Sequence, residues 1–469
     1  MNQRYGVLVL AGALVWPLAW VAPESRATSP DPKELAVPPE VLSKARLLIQ
    51  QLGSDSYRER EQAQAELAKM GRLARPALLE AIDQHPSAEV RFRASLLLPQ
   101  ASAEDLKARL EAFLADTEAK YEHALPGLSR FRKLVGTDVK ARNLFAEFVK
   151  SAANLELLSV LEQGEAAAGR AIAERRYFLF AQMQGQRILP NGQIIHEPRQ
   201  ITFADIACLL FAESLVPSKY IPATPVFGHV GGSMFLQQPA SHAVLNNPSA
   251  LHHDAYRRLV GAWLSTRDDP NEWNNLVHLL GPGGMLRNFP HALTLLRRIA
   301  SSENSFGWSK AQALIHLVQR NGRAEIPTLL ALFQDDTTIT QVWFGNPNLP
   351  NQPPIQHELR MRDFALASLL YLTNQKLTDY GFRFPPGQVA PANHLSYGNY
   401  AFDSEQARQA AFVKFGFWML KNGIPQANNP SDPSGSGGGP TPPPPDKSPD
   451  VKVPPGINVP PAIQIKPQR

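Results

Sequence analysis

Four histidines and one aspartate are the residues whose types and spacing come closest to a chemical site. His229 and His242 lie in a segment rich in proline and glycine, and His252, His253 and Asp254 close it. Imidazole nitrogens and carboxylates are common ligands of zinc and other transition metals. The spacing matches no established ligand pattern, and His252-His253-Asp254 is equally typical of a polar helix start. We therefore expect no metal and no cofactor, with these five residues as the candidates to check.

Other signatures of catalysis are absent from the sequence. There is no H-E-x-x-H zinc motif and no G-x-x-x-x-G-K-[ST] phosphate loop, and Gly435-Ser436-Gly437 does not complete a serine-nucleophile motif. Cys208 is the only cysteine, which excludes an intrachain disulfide and Cys-based metal sites. It lies within the apolar stretch FADIACLLFAESL, so we expect a buried, unreactive thiol. The sequence predicts no catalytic residue.

Paired arginines could form a surface for anionic polymers. The doublets are Arg175-Arg176, Arg257-Arg258 and Arg297-Arg298. A dedicated nucleic-acid binder would carry a dense basic face, whereas the net charge is only +5 over 469 residues. We interpret the doublets as solvated helix faces and expect no nucleic acid, with anionic-polymer binding as the alternative.

Three tryptophans are candidates for partner binding. Trp273, Trp308 and Trp343 fall at predicted junctions between loops and helices, where a protein surface forms. Tryptophan is enriched at the centres of protein interfaces, although it also packs in cores. The partner-binding residues are not determined by the sequence, and these three are candidates beside core packing, which is the commoner role of tryptophan.

The elements that must position these residues are short amphipathic helices. In the stretch 57–98, Ser56 and Glu59 predict a capped helix start, Gly71 predicts its end, and Pro76 falls in the first turn of the next helix. Apolar residues recur at helical spacing in each segment. None of these helices can bury its apolar stripe alone, so we expect them to stack on one another.

The same stretch resembles the bacterial HEAT-like repeat family, of the PBS-lyase HEAT-like or armadillo type. The resemblance is carried by A-x-x-x-L…G…P-A-L and by the following E-V-R-x-R-A segment, Glu89 to Ala94, and it covers residues 44–116. It implies an all-α solenoid of degenerate helix pairs whose concave face binds another protein. A second segment repeats the spacing of Gly71 and Pro76 at Gly322 and Pro327, which predicts one continuous solenoid over 43–424.

Two insertions and two non-solenoid termini complete the predicted organisation. Asn191-Gly192 between apolar pairs predicts a small β-hairpin near 187–195. Residues 216–252 are predicted to form a long loop that packs on the body. Residues 1–27 are typical of a cleaved signal peptide, with an uncleaved anchor as the alternative, and 28–42 form a short Pro-rich leader. The Gly/Ser/Pro-rich tail, 425–469, is predicted to be disordered.

Two functions follow from these features. Our first hypothesis is an exported, periplasmic or secreted scaffold that binds another protein without catalysis and has no membrane span after signal cleavage. The alternative is an exported hydrolase with a site under the 216–252 loop, carried by His252, His253 or Asp254. These hypotheses differ in whether those side chains converge in a concave pocket.

Overall fold

The protein is mostly α-helical, as the sequence predicts. A computed structural model describes residues 31–188, 193–196, 200–223, 231–344, 355–385 and 395–423. The predicted signal peptide, the Pro/Gly-rich tail, the Asn191-Gly192 turn and His229 lie outside these residues. Within the described ranges, no helix combines the length and apolar character needed to cross a membrane.

Helices follow one another closely along the chain. The first nine are α1 (Pro39–Gln51), α2 (Tyr57–Met70), α3 (Arg75–Gln84), α4 (Ala88–Ala115), α5 (Leu128–Val135), α6 (Val139–Val149), α7 (Ala152–Val160), α8 (Glu165–Gln184) and α9 (Phe203–Leu215). The others are α10 (Gly232–Leu236), α11 (Pro239–Leu245), α12 (His253–Ser265), α13 (Pro270–Leu280), α14 (Ala292–Ser301), α15 (Gly307–Asn321), α16 (Ile326–Ala331), α17 (Met361–Leu372) and α18 (Glu405–Lys421).

Two hydrophobic cores share helix α4. The first core, between Ala45 and Ala101, contains buried residues of α1 to α4, and the second extends from Phe113 to Met419. The sequence around Ser102 and Asp105 suggests a new helix start, but α4 continues through it to Ala115 with Pro99 inside. One unbroken helix therefore supplies residues to both cores.

Helix α9 lies at the centre of the second core. Every residue from Ile206 to Ser214 is buried, and the Thr202 hydroxyl accepts a hydrogen bond from the Asp205 backbone N–H, 3.1 Å away, at the predicted helix start. Cys208 is fully buried, and burial raises the pKa of its thiol well above the ordinary value. Its surroundings agree with an unreactive thiol.

The two segments with matching Gly–Pro spacing also share backbone geometry. Gly71 ends α2 with φ 53° and ψ −126°, and Gly322 ends α15 with φ 55° and ψ −130°. In each case a short 3₁₀ turn follows, and proline then occupies the first turn of the next helix. Positive φ is a conformation that favours glycine, so the sequence match corresponds to the same chain reversal.

Among the described residues, two pairs of antiparallel strands interrupt the helices. The predicted one pairs β1 (Gln186–Ile188) with β2 (Ile194–His196). The other, which was not predicted from the sequence, pairs β3 (Thr338–Phe344) with β4 (Ile355–Arg360). β3 carries the β-branched and aromatic sequence TITQVWF, which is typical of a strand, and a register shift between Thr338 and Thr340 separates its buried residues Ile339 and Val342 by three positions.

The segment 216–252 is not one long loop. Its described part contains a 3₁₀ turn at Ser218–Tyr220 and the short helices α10 and α11, and His252 is the N-cap residue of α12. Pro239 begins α11, where a missing backbone N–H costs little, so proline marks a helix start here and not its absence.

Candidate functional site

The predicted histidine cluster does not form one site. His242 is exposed and its ring Nδ1 lies 2.8 Å from the Asn246 side-chain amide. His253 is buried, and its Nδ1 lies 2.9 Å from the carbonyl oxygen of Val244. Among the described residues, no group of three His, Cys, Asp or Glu side chains could hold a metal ion.

His252 and Asp254 contact two other parts of the protein. The His252 ring stacks on Phe203 with centroids 5.6 Å apart, and burial lowers the pKa of its imidazole. Asp254 pairs with the Lys140 ammonium group. The side chains proposed for the hydrolase alternative therefore contact different parts of the protein and do not converge.

The arginine doublets are occupied by internal partners. Arg175 pairs with Asp205 at 2.6 Å, Arg176 with Glu213 at 2.6 Å, and Arg258 with Asp138 at 2.6 Å. The others are similarly engaged: Arg257 over the Phe289 ring, Arg297 with Glu325 and Arg298 with the carbonyl of Arg267. Four of the six guanidinium groups are thus neutralised by carboxylates, whereas Arg257 and Arg298 keep their charge. These ion pairs weigh against that alternative.

The three candidate tryptophans lie in different environments. Trp273 is buried in the second core, in agreement with the core-packing alternative. Trp308 is half-buried and stacks on His278 at 5.8 Å. Trp343, on β3, leaves 53% of its surface exposed. An exposed tryptophan on an ordered strand is the strongest of the three as a recognition residue.

Trp343 lies on the exposed face of the β3–β4 hairpin, which we call the outer face and define by Gln341, Trp343, Gln356 and Glu358. The register pairs Gln341 with Glu358 and Trp343 with Gln356, so the four side chains share one side of the sheet. All four are exposed, whereas Val342 and Leu359 on the other side are buried. The hairpin thus presents an aromatic ring, two amides and one carboxylate to solvent.

A network of ion pairs holds the base of this hairpin. Arg362 lies 2.9 Å from Asp336 and 3.0 Å from Glu405 of α18. Beneath them, the Arg408 guanidinium lies 2.9 Å from the buried Asp363 carboxylate. These pairs connect the start of β3, the start of α17 and α18, so the strands carrying the outer face are attached to the core on both sides.

A polar cleft of about 390 Å³ lies beside the hairpin base. Its cations are already paired: Lys310 Nζ lies 2.6 Å from Asp335, and Arg297 Nε lies 3.1 Å from Glu325. Glu303 also lines the cleft, is exposed, and has no ion-pair partner among the described residues. The charge left unneutralised in the cleft is therefore negative.

The paired carboxyl groups of the cleft are held in their charged form. Burial raises the pKa of Asp335, but hydrogen bonds from Lys310 and Thr337 outweigh it, and the net pKa is lowered. The pKa of Glu325 is lowered in the same way, against burial, by hydrogen bonds from Arg297 and others. Both groups consequently remain ionised at neutral pH.

A second charged cluster is fully buried beneath helix α10. The Arg267 guanidinium lies 3.3 Å from both the Glu213 and Glu272 carboxylates, and Trp263 Nε1 donates to Glu213 at 2.7 Å. A Cβ atom at Gly232 would lie 2.3 Å from a Glu213 carboxylate oxygen, so only glycine lets α10 approach so closely. This cluster connects α9, α12 and α13 with α10 above them.

The pKa values of the two carboxyl groups in this cluster are shifted in opposite directions. Burial raises the pKa of Glu213, but Arg176 and Arg267 outweigh it and the net pKa is lowered. Burial also raises the pKa of Glu272, and Arg267 offsets it only in part, so that pKa lies above its ordinary value. Such a split can serve acid–base chemistry. Both groups are nevertheless covered by protein, so we assign them a structural role.

Sequence reasoning named Trp343 but missed the hairpin that positions it. The β-branched and aromatic content of TITQVWF was a usable signal, since such residues are enriched in strands. No known protein family, no curated protein and no solved structure matches this chain.

Proposed function

We propose that this chain is an exported, non-catalytic scaffold of HEAT-like helix pairs that binds another protein through the outer face of the β3–β4 hairpin. The observation that carries the proposal is the exposed Trp343 on a hairpin whose base is held by ion pairs. Residues fixed before binding lose little conformational entropy when a partner docks. The shared geometry at Gly71 and Gly322 supports the repeat architecture, and the N-terminal sequence supports export.

The chemistry of the surface favours a basic segment of the partner. The face of an indole ring attracts a guanidinium or ammonium group. Glu358 lies on the same side of the hairpin as Trp343 but already pairs with Arg360 at 3.4 Å. Glu303, by contrast, leaves in the neighbouring cleft a negative charge that has no ion-pair partner among the described residues. A segment that carries arginine or lysine can therefore stack on Trp343 and pair with a carboxylate.

A comparison of three baits tests the proposal. The full chain, a Trp343→Ala variant and a Phe178→Ala variant are used to capture proteins from envelope and secreted fractions. Phe178 is the matched control because it is also aromatic and exposed, on α8. We expect a partner to be retained by Phe178→Ala and to bind Trp343→Ala about 30-fold more weakly, as for a hot-spot tryptophan worth about 2 kcal/mol.

Two further results would count against the outer face. Equal retention by Trp343→Ala would place recognition elsewhere on the body. Loss of the partner from a chain ended at Gly423, with Trp343 intact, would assign recognition to the Pro-rich tail. With a captured partner in hand, Glu358→Gln should weaken binding and flatten its salt dependence, because it removes one interface charge.

A further inference from the structure

Helix α18 has two apolar faces, and the described body covers only one of them. Ala411, Phe415 and Met419 are buried against the second core. On the opposite side, Val413, Phe417 and Leu420 leave 42%, 64% and 51% of their surfaces exposed. A helix that is apolar on both sides is typical of one that is buried on both sides.

The exposed apolar residues follow the spacing of a coiled-coil seam. Ala410, Val413, Phe417 and Leu420 alternate steps of three and four residues, which corresponds to positions a, d, a and d of consecutive heptads. Ala410 is exposed as well. We call these four residues the α18 seam. Its length of about 15 Å along the helix corresponds to three turns.

We propose that the α18 seam binds the α18 seam of a second copy of this chain, in parallel orientation. A heptad seam is complementary in shape to another heptad seam, because each a or d side chain fits between four residues of the facing helix. Every copy of the chain presents such a surface.

The charges beside the seam select the parallel orientation. Lys414 and Lys421 occupy the e positions, and the g positions are the uncharged Gln409 and Gly416. In a parallel pair each e residue faces a g residue of the other helix, so both lysines face neutral residues. In an antiparallel pair with residue 420 opposite Ala410, the Lys414 side chains of the two copies lie on the same side of the pair and would repel, although each also donates a hydrogen bond to the Asp379 carbonyl of its own chain. Gly416, with open space around its Cα, adds no steric obstacle.

The size of the seam predicts weak association. Four side chains per copy cover much less than the roughly 800 Å² per partner of a standard interface. We therefore expect a monomer–dimer equilibrium with a dissociation constant in the micromolar range or above.

Sedimentation equilibrium of the full chain over a wide concentration range tests the proposal. We expect the mass to rise towards twice 51.7 kDa with concentration. Phe417→Glu should keep the protein monomeric, and the milder Val413→Gln should weaken the dimer at least severalfold. Phe178→Glu, at a similarly exposed aromatic residue of α8, should leave dimerisation unchanged. Thermal melts followed by circular dichroism confirm that each variant is folded.

A cysteine variant tests the orientation. Leu420→Cys faces its own copy in a parallel pair and should form a disulfide-linked dimer under mild oxidation. In an antiparallel pair residue 420 faces Ala410, and only the double variant Ala410→Cys/Leu420→Cys should cross-link. Cys208 is fully buried and should not interfere.

The results separate the possibilities. A protein that stays monomeric at several hundred micromolar overturns the proposal. The α18 seam would then be a binding surface for a different protein. A dimer that survives Phe417→Glu also overturns it, because the contact then lies elsewhere. Neither result bears on the outer face of the hairpin, whose test measures a different partner.

Discussion

Replacing Arg267 with methionine should destabilise the whole folded body. Arg267 is fully buried and lies 3.3 Å from both Glu213 and Glu272, so Arg267→Met leaves two carboxylates facing each other without their shared cation. Removing one member of a buried ion pair costs about 3–5 kcal/mol of unfolding free energy, because the remaining charge has lost its compensation.

This loss converts into a modest shift of the melting temperature. Unfolding entropy is about 2.1 cal/mol/K per residue near 60 °C, which gives about 0.8 kcal/mol/K for roughly 400 residues. The described residues lie between 31 and 423, a span of that size. If that span unfolds as one cooperative unit, a loss of about 4 kcal/mol lowers Tm by about 5 °C.

The loss should also depend on pH. The folded-state pKa of Glu272 is raised above 4.5, so the folded protein binds this proton more tightly than the unfolded chain does. Its contribution to stability is complete below pH 4.5 and disappears as the pH rises through the raised pKa. Without Arg267 that pKa rises further, so the gap in Tm between the variant and the original protein should widen from mildly acidic to neutral pH.

Differential scanning calorimetry at several pH values measures this effect. Arg46→Met is the matched control, since Arg46 forms an ion pair with Glu80 at the surface and should show no clear change in Tm. Adding Glu272→Gln to Arg267→Met should recover part of the loss at neutral pH. If Arg267→Met melts at the same temperature as Arg46→Met, the buried cluster provides no net stability and the reasoning fails.

Three further predictions concern backbone, charge and thiol. Gly322→Ala should lower the free energy of unfolding, measured by urea titration, by about 1 kcal/mol, because Gly322 has a φ of +55°. Gly416→Ala should instead raise the free energy of unfolding by about 0.5–1 kcal/mol, because Gly416 is helical and also has open space around it. Equal effects of the two substitutions would contradict this reasoning. Asp335 and Glu325 have lowered pKa values in the folded protein, so their contribution to stability is complete above pH 4.5. This contribution should be lost as the pH falls through the lowered pKa values. Lys310→Met should remove most of the part of this acid dependence that is due to Asp335. Cys208 should react with a thiol reagent only as fast as the protein unfolds, and labelling at the rate of a free thiol would contradict its burial.

Helix boundaries were predictable where the local sequence determines the backbone. Gly71 and Gly322 take positive φ as expected, and Thr202 caps α9, because these preferences depend on the residue and its immediate neighbours. Where the prediction of a helix boundary failed, tertiary packing determined the boundary. Ser102 and Asp105 could have begun a new helix, yet α4 runs on because its residues are packed in two cores at once.

The candidate site was harder to predict because it depends on residues far apart in the chain. Trp273 and Trp343 look alike in sequence, but Trp273 is buried within α13 and Trp343 lies on a strand whose opposite face is buried. The arginine doublets seemed free in sequence, since their partners lie on other helices: Arg258 of α12, for example, pairs with Asp138, 120 residues away. Which side chains are buried and which charges are paired depends on contacts between distant segments, so it is known only once the fold is known.

The regular helices and the inserted elements have different consequences for function. The first core consists largely of alanine, which lets its helices pack closely, and these helices also expose Leu47, Tyr57 and Phe92. The hairpin β3–β4 interrupts the helices between α16 and α17, and ion pairs from α17 and α18 hold its base. Helices that bury their stripes supply rigidity, and an insertion on such a support can expose an aromatic ring without destabilising the core. This division favours the hairpin as the recognition element and the helical body as its scaffold.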